Sequence, residues 1–207
     1  MDTIVRVKRI AKGAALMTET RVKTKILAGV SNLIYNETLG NIMQSNLDQL
    51  GAPEFSKEDH LYAKKYQDTL TRKDIESAYS HAGIDLVEGQ VLAETVVAGD
   101  VKPVDMGGST DVADVSWVVP TVSLWGANYA IGTPFHSWQM TAQGKSSIAI
   151  KGMTHAAMVM AATGSDLMSN KTILDDAWSE HNKTIENTGY MLPISLSSSP
   201  PIKDMAP

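Results

Sequence analysis

The sequence predicts an α/β fold, with α+β layering as the alternative. Two stretches have the composition of strands: residues 21–26 alternate basic and apolar side chains, and residues 115–125 form an apolar run rich in valine. Segments with helical periodicity precede, separate and follow these stretches. Strands that alternate with helices are typical of layered α/β folds, so this order of elements favours that class.

The first predicted elements are an amphipathic helix and a short strand. Apolar residues recur at helical spacing from Ile4 to Met17, and Val22, Thr24 and Ile26 then alternate with basic residues. A lone helix and a lone strand cannot bury both of their faces or pair the backbone of the strand. We therefore expect this pair to dock on the rest of the chain or to find its partners on a segment that is absent.

Three helices are predicted in the middle of the chain from their start and stop residues. Asn36, Ser56 and Thr71 are suitable N-caps, and Gly51 and Gly83 are suitable ends. The predicted helices cover residues 37–50, 57–70 and 72–82. The last two form a polar helical hairpin that we expect at the surface.

The second half of the chain contains the apolar run, two helices and a tail. Short extended pieces are expected within residues 84–106, and Pro120 should interrupt the apolar run at a strand edge or between two short strands. The two helices are predicted over residues 150–168 and 172–186. The tail from residue 191 to residue 207 is rich in serine and proline, so we expect it to be extended or disordered.

Composition excludes several classes of function. A net charge of −5 argues against a nucleic-acid surface, which needs clustered basic residues. The chain has no cysteine, which excludes disulfides, thiolate zinc sites and cysteine nucleophiles. No apolar run reaches the roughly 20 residues that span a bilayer, and no hydrophobic signal core follows Met1. We therefore expect a cytoplasmic protein.

The loop from Gly107 to Asp114 is a candidate anion site. Its two glycines allow close approach of a ligand, Ser109 and Thr110 add hydroxyl groups, and successive N–H groups can form an anion-binding turn. A substrate carboxylate would suit such a turn. An ordinary loop, with Asp111 or Asp114 as a capping residue, is the alternative.

The second candidate is His136, which follows a glycine and a proline after the apolar run. Neutral imidazole is the commonest metal ligand in proteins, although a lone histidine is more often structural. His155 is expected to be buried and hydrogen-bonded in an apolar helix. The remaining histidines are expected to be exposed on polar helices: His60, His81 and His181.

Several motifs of metal and nucleophile sites are absent from the sequence. There is no His-x-Asp, no His-Glu-x-x-His, no Glu-Glu pair, no Gly-x-Ser-x-Gly and no phosphate-binding loop. A catalytic zinc needs at least three protein ligands. The residues provide one plausible ligand, His136, so the search for its partners finds none.

Four stretches of the chain resemble a known family. They are AKGAALMTET, GGSTDVADVSWVVPT, GTPFHSWQ and KGMTHAAMVMAAT, beginning at residues 11, 107, 132 and 151. They are similar to the C-terminal part of the di-zinc aminoacylase/carboxypeptidase metallopeptidases, in their amidohydrolase branch. The resemblance extends over most of the chain. The hairpin over 52–82 carries it less specifically.

The resemblance implies an architecture. Members of the family have a three-layer α/β catalytic domain of the zinc-exopeptidase type, into which a smaller lid or dimerisation domain is inserted. On that pattern residues 1–32 are the remnant of the lid domain, with its last helix and strand. Residues 33–190 would be the C-terminal part of the catalytic domain, and residues 191–207 would be the tail.

The resemblance also implies site residues. His136 matches the C-terminal metal ligand of the family, and Gly108, Ser109 and Thr110 match a loop near the terminal carboxylate of the substrate. The complete enzymes use zinc or manganese and a glutamate general base. The other ligands and the base belong to the part that precedes the lid, so no catalytic residue is assigned in this segment.

The function implied is hydrolysis of an N-acyl or aminobenzoyl amino acid, with aminobenzoyl-glutamate as one candidate. We expect the chain to be inactive by itself, not to retain the metal, and to form a homo-oligomer or pair with a complementing N-terminal chain. No nucleic-acid or membrane partner is expected. The competing hypothesis is a non-catalytic remnant or interaction domain that binds a partner chain, because an unpaired strand edge readily pairs with another chain.

Overall fold

The computed structural model describes residues 2–100 and 110–190, together with Ile194. Within these residues the protein contains eight α-helices and no strand. The helices are α1 (Asp2–Met17), α2 (Glu37–Leu50), α3 (Lys57–Gln67), α4 (Arg72–Ala82), α5 (Val112–Ser116), α6 (Trp138–Gln143), α7 (Ser147–Ser169) and α8 (Lys171–Thr188).

The predicted α/β fold is therefore wrong for the described residues. Residues 20–36 are extended but belong to no sheet, and the apolar run is divided between α5, a turn and irregular backbone up to residue 129. A strand is stabilised by ladder hydrogen bonds to a neighbouring strand, and neither stretch has such a neighbour among the described residues. The alternation of side chains alone could not supply that partner.

The predicted helices are confirmed, and their capping residues act as expected. Ser56 and Thr71 form capping boxes with Asp59 and Asp74 at the starts of α3 and α4. Gly83 ends α4 in the left-handed conformation, with φ of 70°. The short helices α5 and α6 were not predicted.

The chain divides into two compact units. Among the described residues, the first contains residues 2–31, and the second is Asn32–Tyr190. In the first unit, α1 leaves its larger apolar side chains exposed, among them Val7, Ile10 and Leu16. The assignment of residues 1–32 to a lid domain stays a prediction.

In the second unit, α2, α7 and α8 pack against one another. Asn36 caps α2 by accepting a hydrogen bond from the Leu39 N–H at 3.0 Å, and its amide donates to the Ala177 carbonyl of α8 at 2.9 Å. Glu180 of α8 accepts hydrogen bonds from the N–H groups of Glu37 and Thr38 at 2.6 and 2.9 Å. These bonds join the start of α2 to the side of α8.

A small hydrophobic core fixes the loops around α3 and α7. Its buried members are Ala63, Val91, Leu92, Ala130 and Ile148, and Phe55, Tyr62 and Tyr66 pack against them. The core brings the loop that follows residue 129 against α3. This loop carries His136, the candidate metal ligand.

Candidate functional site

The loop before His136 is anchored at its N-terminal end. The Ile131 N–H donates to the Val91 carbonyl at 2.9 Å, and Ala130 is fully buried. Gly132 has φ of 91°, and a Cβ atom there would lie 2.9 Å from Ile75 Cγ1 and 3.0 Å from its Cα. Only glycine suits this position, because a side chain would be strained and would clash with α4.

A buried glutamine joins the two ends of the loop. The Gln143 side chain accepts from the Ala130 N–H at 2.8 Å and donates to the Thr133 hydroxyl at 3.0 Å and the Gln139 carbonyl at 3.1 Å. Buried polar groups are stabilising only when they are hydrogen-bonded in this way. Sequence reasoning missed Gln143, and only its place among apolar neighbours in the fold reveals its role.

The loop is anchored again directly after His136. Ser137 caps α6 by accepting from the Met140 N–H at 3.2 Å, and its hydroxyl donates to the Pro134 carbonyl at 2.7 Å. His136 itself has φ of 57°, in the left-handed region that residues other than glycine seldom adopt. Its side chain is exposed. The fold thus presents one imidazole to the outside from a loop that is fixed on both sides.

Aromatic side chains flank this imidazole along the chain. Phe135 packs against Trp125, with ring centroids 5.7 Å apart, and against Tyr129 at 6.2 Å. Trp138 packs against Tyr66 at 6.2 Å and remains largely exposed. Burial raises the pKa of Tyr129, which therefore stays neutral near pH 7. The surroundings of His136 are apolar and in part uncovered.

The other histidines have partners of their own. His155 is half-buried, and its Nε2 lies 2.7 Å from the Gly51 carbonyl oxygen. His60 contacts the Ser56 carbonyl and the Glu94 carboxylate at 2.8 and 3.0 Å; these hydrogen bonds raise its pKa. His181 is buried against Trp178.

The predicted exposure of these histidines is only partly correct. His81 is exposed as expected, whereas His60 is half-buried and His181 is buried. His155 is hydrogen-bonded as expected but is not fully buried. The errors arise because α3 and α8 bury one side of their polar surfaces against the rest of the second unit.

The donor set of the described residues does not fit a catalytic zinc or manganese ion. Across residues 2–100 and 110–190, no group of three or more His, Asp or Glu side chains could hold a metal. One imidazole, His136, faces outwards without such companions. A complete site would need at least two further protein ligands.

The predicted substrate-binding loop is only partly described. Gly108 and Ser109 lie outside the described residues. Thr110 is exposed at the start of α5, where its hydroxyl accepts from the Val112 N–H at 3.3 Å and its carbonyl accepts from the Ala113 N–H at 3.0 Å. Among the described residues, no hydrogen bond joins Thr110 to the His136 loop.

The motifs around His136 predict a likeness to one protein in particular, the B component of the aminobenzoyl-glutamate utilization protein. A curated protein is 39% identical to the chain over 209 aligned residues, which cover 96% of this chain. That protein is the B component of the p-aminobenzoyl-glutamate hydrolase of Escherichia coli strain K12, one subunit of that enzyme. The predicted resemblance is confirmed.

The similarity has a defined extent. The chain spans 44% of the length of the Escherichia coli subunit. No protein-family profile matches the chain, and no solved structure is similar to it. None of the helices in the described part of the chain is long and apolar enough to cross a membrane.

Proposed function

We propose that this chain forms part of a metal-dependent amidohydrolase that cleaves an aminobenzoyl amino acid, with aminobenzoyl-glutamate as the first candidate. The similarity to a hydrolase subunit named for that substrate, over 96% of this chain, is the observation that carries the proposal. The anchored loop that exposes His136 gives the proposal a place in the structure. We further propose that the protein acts in the cytoplasm.

His136 would provide one metal ligand of the complete enzyme. A ligand must keep its geometry without help from solvent, and the hydrogen bonds of Gln143 and Ser137 hold the backbone on both sides of this residue. Backbone in a rarely populated conformation is also typical of functional positions. Gly108, Ser109 and Thr110 would bind the terminal carboxylate of the substrate through backbone N–H and hydroxyl groups.

This chain by itself would not hydrolyse the amide. The described residues provide no second or third metal ligand beside His136, so no catalytic step is assigned to them. The remaining ligands and the general base would come from polypeptide that corresponds to the rest of the relative. A homo-oligomer of such complete units, or a complementing chain, would then be the active species.

A chimera tests this proposal directly. This chain would replace the matched segment of the Escherichia coli subunit, and the release of p-aminobenzoate from p-aminobenzoyl-glutamate would be measured with the other component of that hydrolase present. We expect hydrolysis by the chimera and a loss of roughly a hundredfold or more in His136→Ala, because loss of a direct ligand should exceed the effect of its supporting residues.

The matched control is His81→Ala, which removes an exposed histidine from α4 and should leave hydrolysis unchanged. Equal activity of the chimera and its His136→Ala variant would rule out the ligand role. A folded chimera without hydrolysis would instead favour the non-catalytic hypothesis, in which the exposed apolar surfaces of the chain bind a partner.

A further inference from the structure

Helix α7 has two apolar faces, and only one of them is covered. Ile148, Gly152, Val159 and Thr163 are buried against the second unit. The other face is a stripe of residues spaced by three or four, defined here as the α7 stripe: Ile150, Met153, Ala157, Met160, Ala161, Gly164 and Met168. A helix that is apolar all round is typical of a position between two layers of protein.

The α7 stripe is open along almost the whole helix. Ile150, Met153, Met160 and Met168 are 55%, 62%, 60% and 85% exposed. Ala157 and Ala161 are also at least partly exposed, and a Cβ atom added at Gly164 would meet nothing within 4 Å. Contiguous exposed apolar surface of this kind marks an interaction site.

The stripe also lacks charge. Lys151 and Asp166, the two charged residues within the span of the stripe, point to other partners: Lys151 pairs with Asp59 at 2.7 Å, and Asp166 accepts from Asn46 at 2.7 Å. The small residues at the centre of the stripe would allow another backbone to approach closely. The surface is therefore suited to an apolar protein surface.

The stripe continues towards His136. Residues 126–128 lie directly against α7, because a Cβ atom on Gly152 would be 2.4 Å from the Ala127 carbonyl oxygen. This contact places Trp125 beside the helix, and Trp125 packs on Phe135, the neighbour of His136. One occupant of the stripe could thus also reach the candidate ligand.

We propose that the α7 stripe is the docking surface for polypeptide that corresponds to the part of the Escherichia coli subunit not matched by this chain. This inference rests on the proposed function. The matched segment is 44% of that subunit, so the larger part of it has no counterpart here and provides an occupant of sufficient size. The same occupant would bring the ligands that His136 lacks.

A second copy of this chain is the less favourable occupant. It would cover the stripe with another apolar surface, but it would carry the same described residues, which include no cluster of metal-binding side chains. Two copies would therefore leave His136 without a complete ligand set. The complementary part of the enzyme satisfies both the apolar surface and the site.

The test compares stripe substitutions in two settings, the isolated chain and the chimera defined above. Met153→Glu and Met160→Glu place a charge on the stripe. In the isolated chain they should shift the midpoint of thermal unfolding by about a degree or less, since both side chains are exposed. In the chimera they should lower it by several degrees, because the charge would be buried without a partner.

Met158→Glu is the matched control. Met158 is 50% exposed on the same helix but lies off the stripe, so its effect should be small and equal in both settings. Ala157→Gln is a milder second variant that should also act only in the chimera. Sedimentation equilibrium of the isolated chain tests for a second copy as occupant.

Two outcomes would overturn the inference: equal effects of the stripe variants in both settings, or a dimer of the isolated chain that Met153→Glu dissociates. A chimera that does not fold would also count against it, because docking would have to hold its two parts together. Unfolding is measured without substrate. A stable chimera with stripe-dependent unfolding but no hydrolysis would therefore sink the proposed function and leave the docking surface intact.

Discussion

At the scale of single residues, buried polar side chains fix the loops of this protein. Gln143 uses its amide oxygen and its amide N–H groups to hold the His136 loop, and no buried side-chain polar atom among the described residues lacks a partner. Asp59 serves the same purpose at the start of α3. Its carboxylate accepts from the Ser56 N–H at 2.8 Å and from Lys151 of α7 at 2.7 Å.

The ionisation of Asp59 couples this contact to pH. Burial by itself raises the pKa of Asp59, but the hydrogen bonds from Lys151, Ser56 and Ser147 outweigh it and lower the pKa to about 2. The folded pKa lies below the unfolded value of about 3.9. The ion pair therefore stabilises the fold fully above about pH 4, and this contribution is lost as the pH falls towards about 2.

Lys151→Met should remove that contribution. We expect the free energy of unfolding at pH 7 to fall by about 1–3 kcal/mol, because the Asp59 carboxylate would remain buried with one partner fewer. The loss should shrink below pH 4. Urea unfolding across a pH series measures both effects. Lys171→Met, which breaks an exposed pair with Asp175, is the control and should change little; an equal loss in both variants would contradict the argument.

At the scale of elements, the second unit depends on close contact between α7 and the segment before His136. Gly152 lets the backbone of residues 127 and 128 cross the helix, since a Cβ atom there would lie 2.4 Å from the Ala127 oxygen and 2.7 Å from Asn128 Cβ. The same helix has a second glycine, Gly164, with open space around it. The two positions differ in packing but not in helical setting.

Gly152→Ala and Gly164→Ala should therefore have opposite effects on the isolated chain. We expect Gly152→Ala to lower the free energy of unfolding by about 1–3 kcal/mol through overpacking. Gly164→Ala should raise it by about 0.5–1 kcal/mol, because alanine loses less backbone entropy than glycine on entering a helix. Urea unfolding at neutral pH decides this, and stabilisation by both substitutions would show that residues 127 and 128 do not cross the helix there.

The predictability of the elements follows from where their stabilising contacts lie. The bounds of α2, α3 and α4 could be predicted from caps such as Asn36 and Ser56, because a cap is a contact within a few residues. The strand predicted at Val22–Ile26 is wrong because a strand depends on a partner that its own side chains do not specify. The His136 loop falls between these cases: its residues were identified, but its fixing by Gln143 was not.

At the scale of the whole molecule, the second unit is helical and leaves large apolar surfaces open. We expect the circular dichroism spectrum of the isolated chain to be dominated by α-helix. The β-prone segments have no strand to pair with among the described residues, so they should contribute no ladder. A spectrum with a substantial strand component would restore the predicted α/β class for this chain and contradict the helical fold.

The sequence by itself determined the helices, the absence of thiolate chemistry, the place of His136 and the resemblance to a hydrolase subunit. These follow from local contacts, residue inventory and motif identity, none of which needs distant parts of the chain. Only the tertiary structure decided that the β-prone stretches remain unpaired within the described residues, that Gln143 and Gly132 fix the His136 loop, and that one face of α7 is uncovered. Such features arise from pairings between residues far apart in sequence, and local patterns carry too little information to specify them.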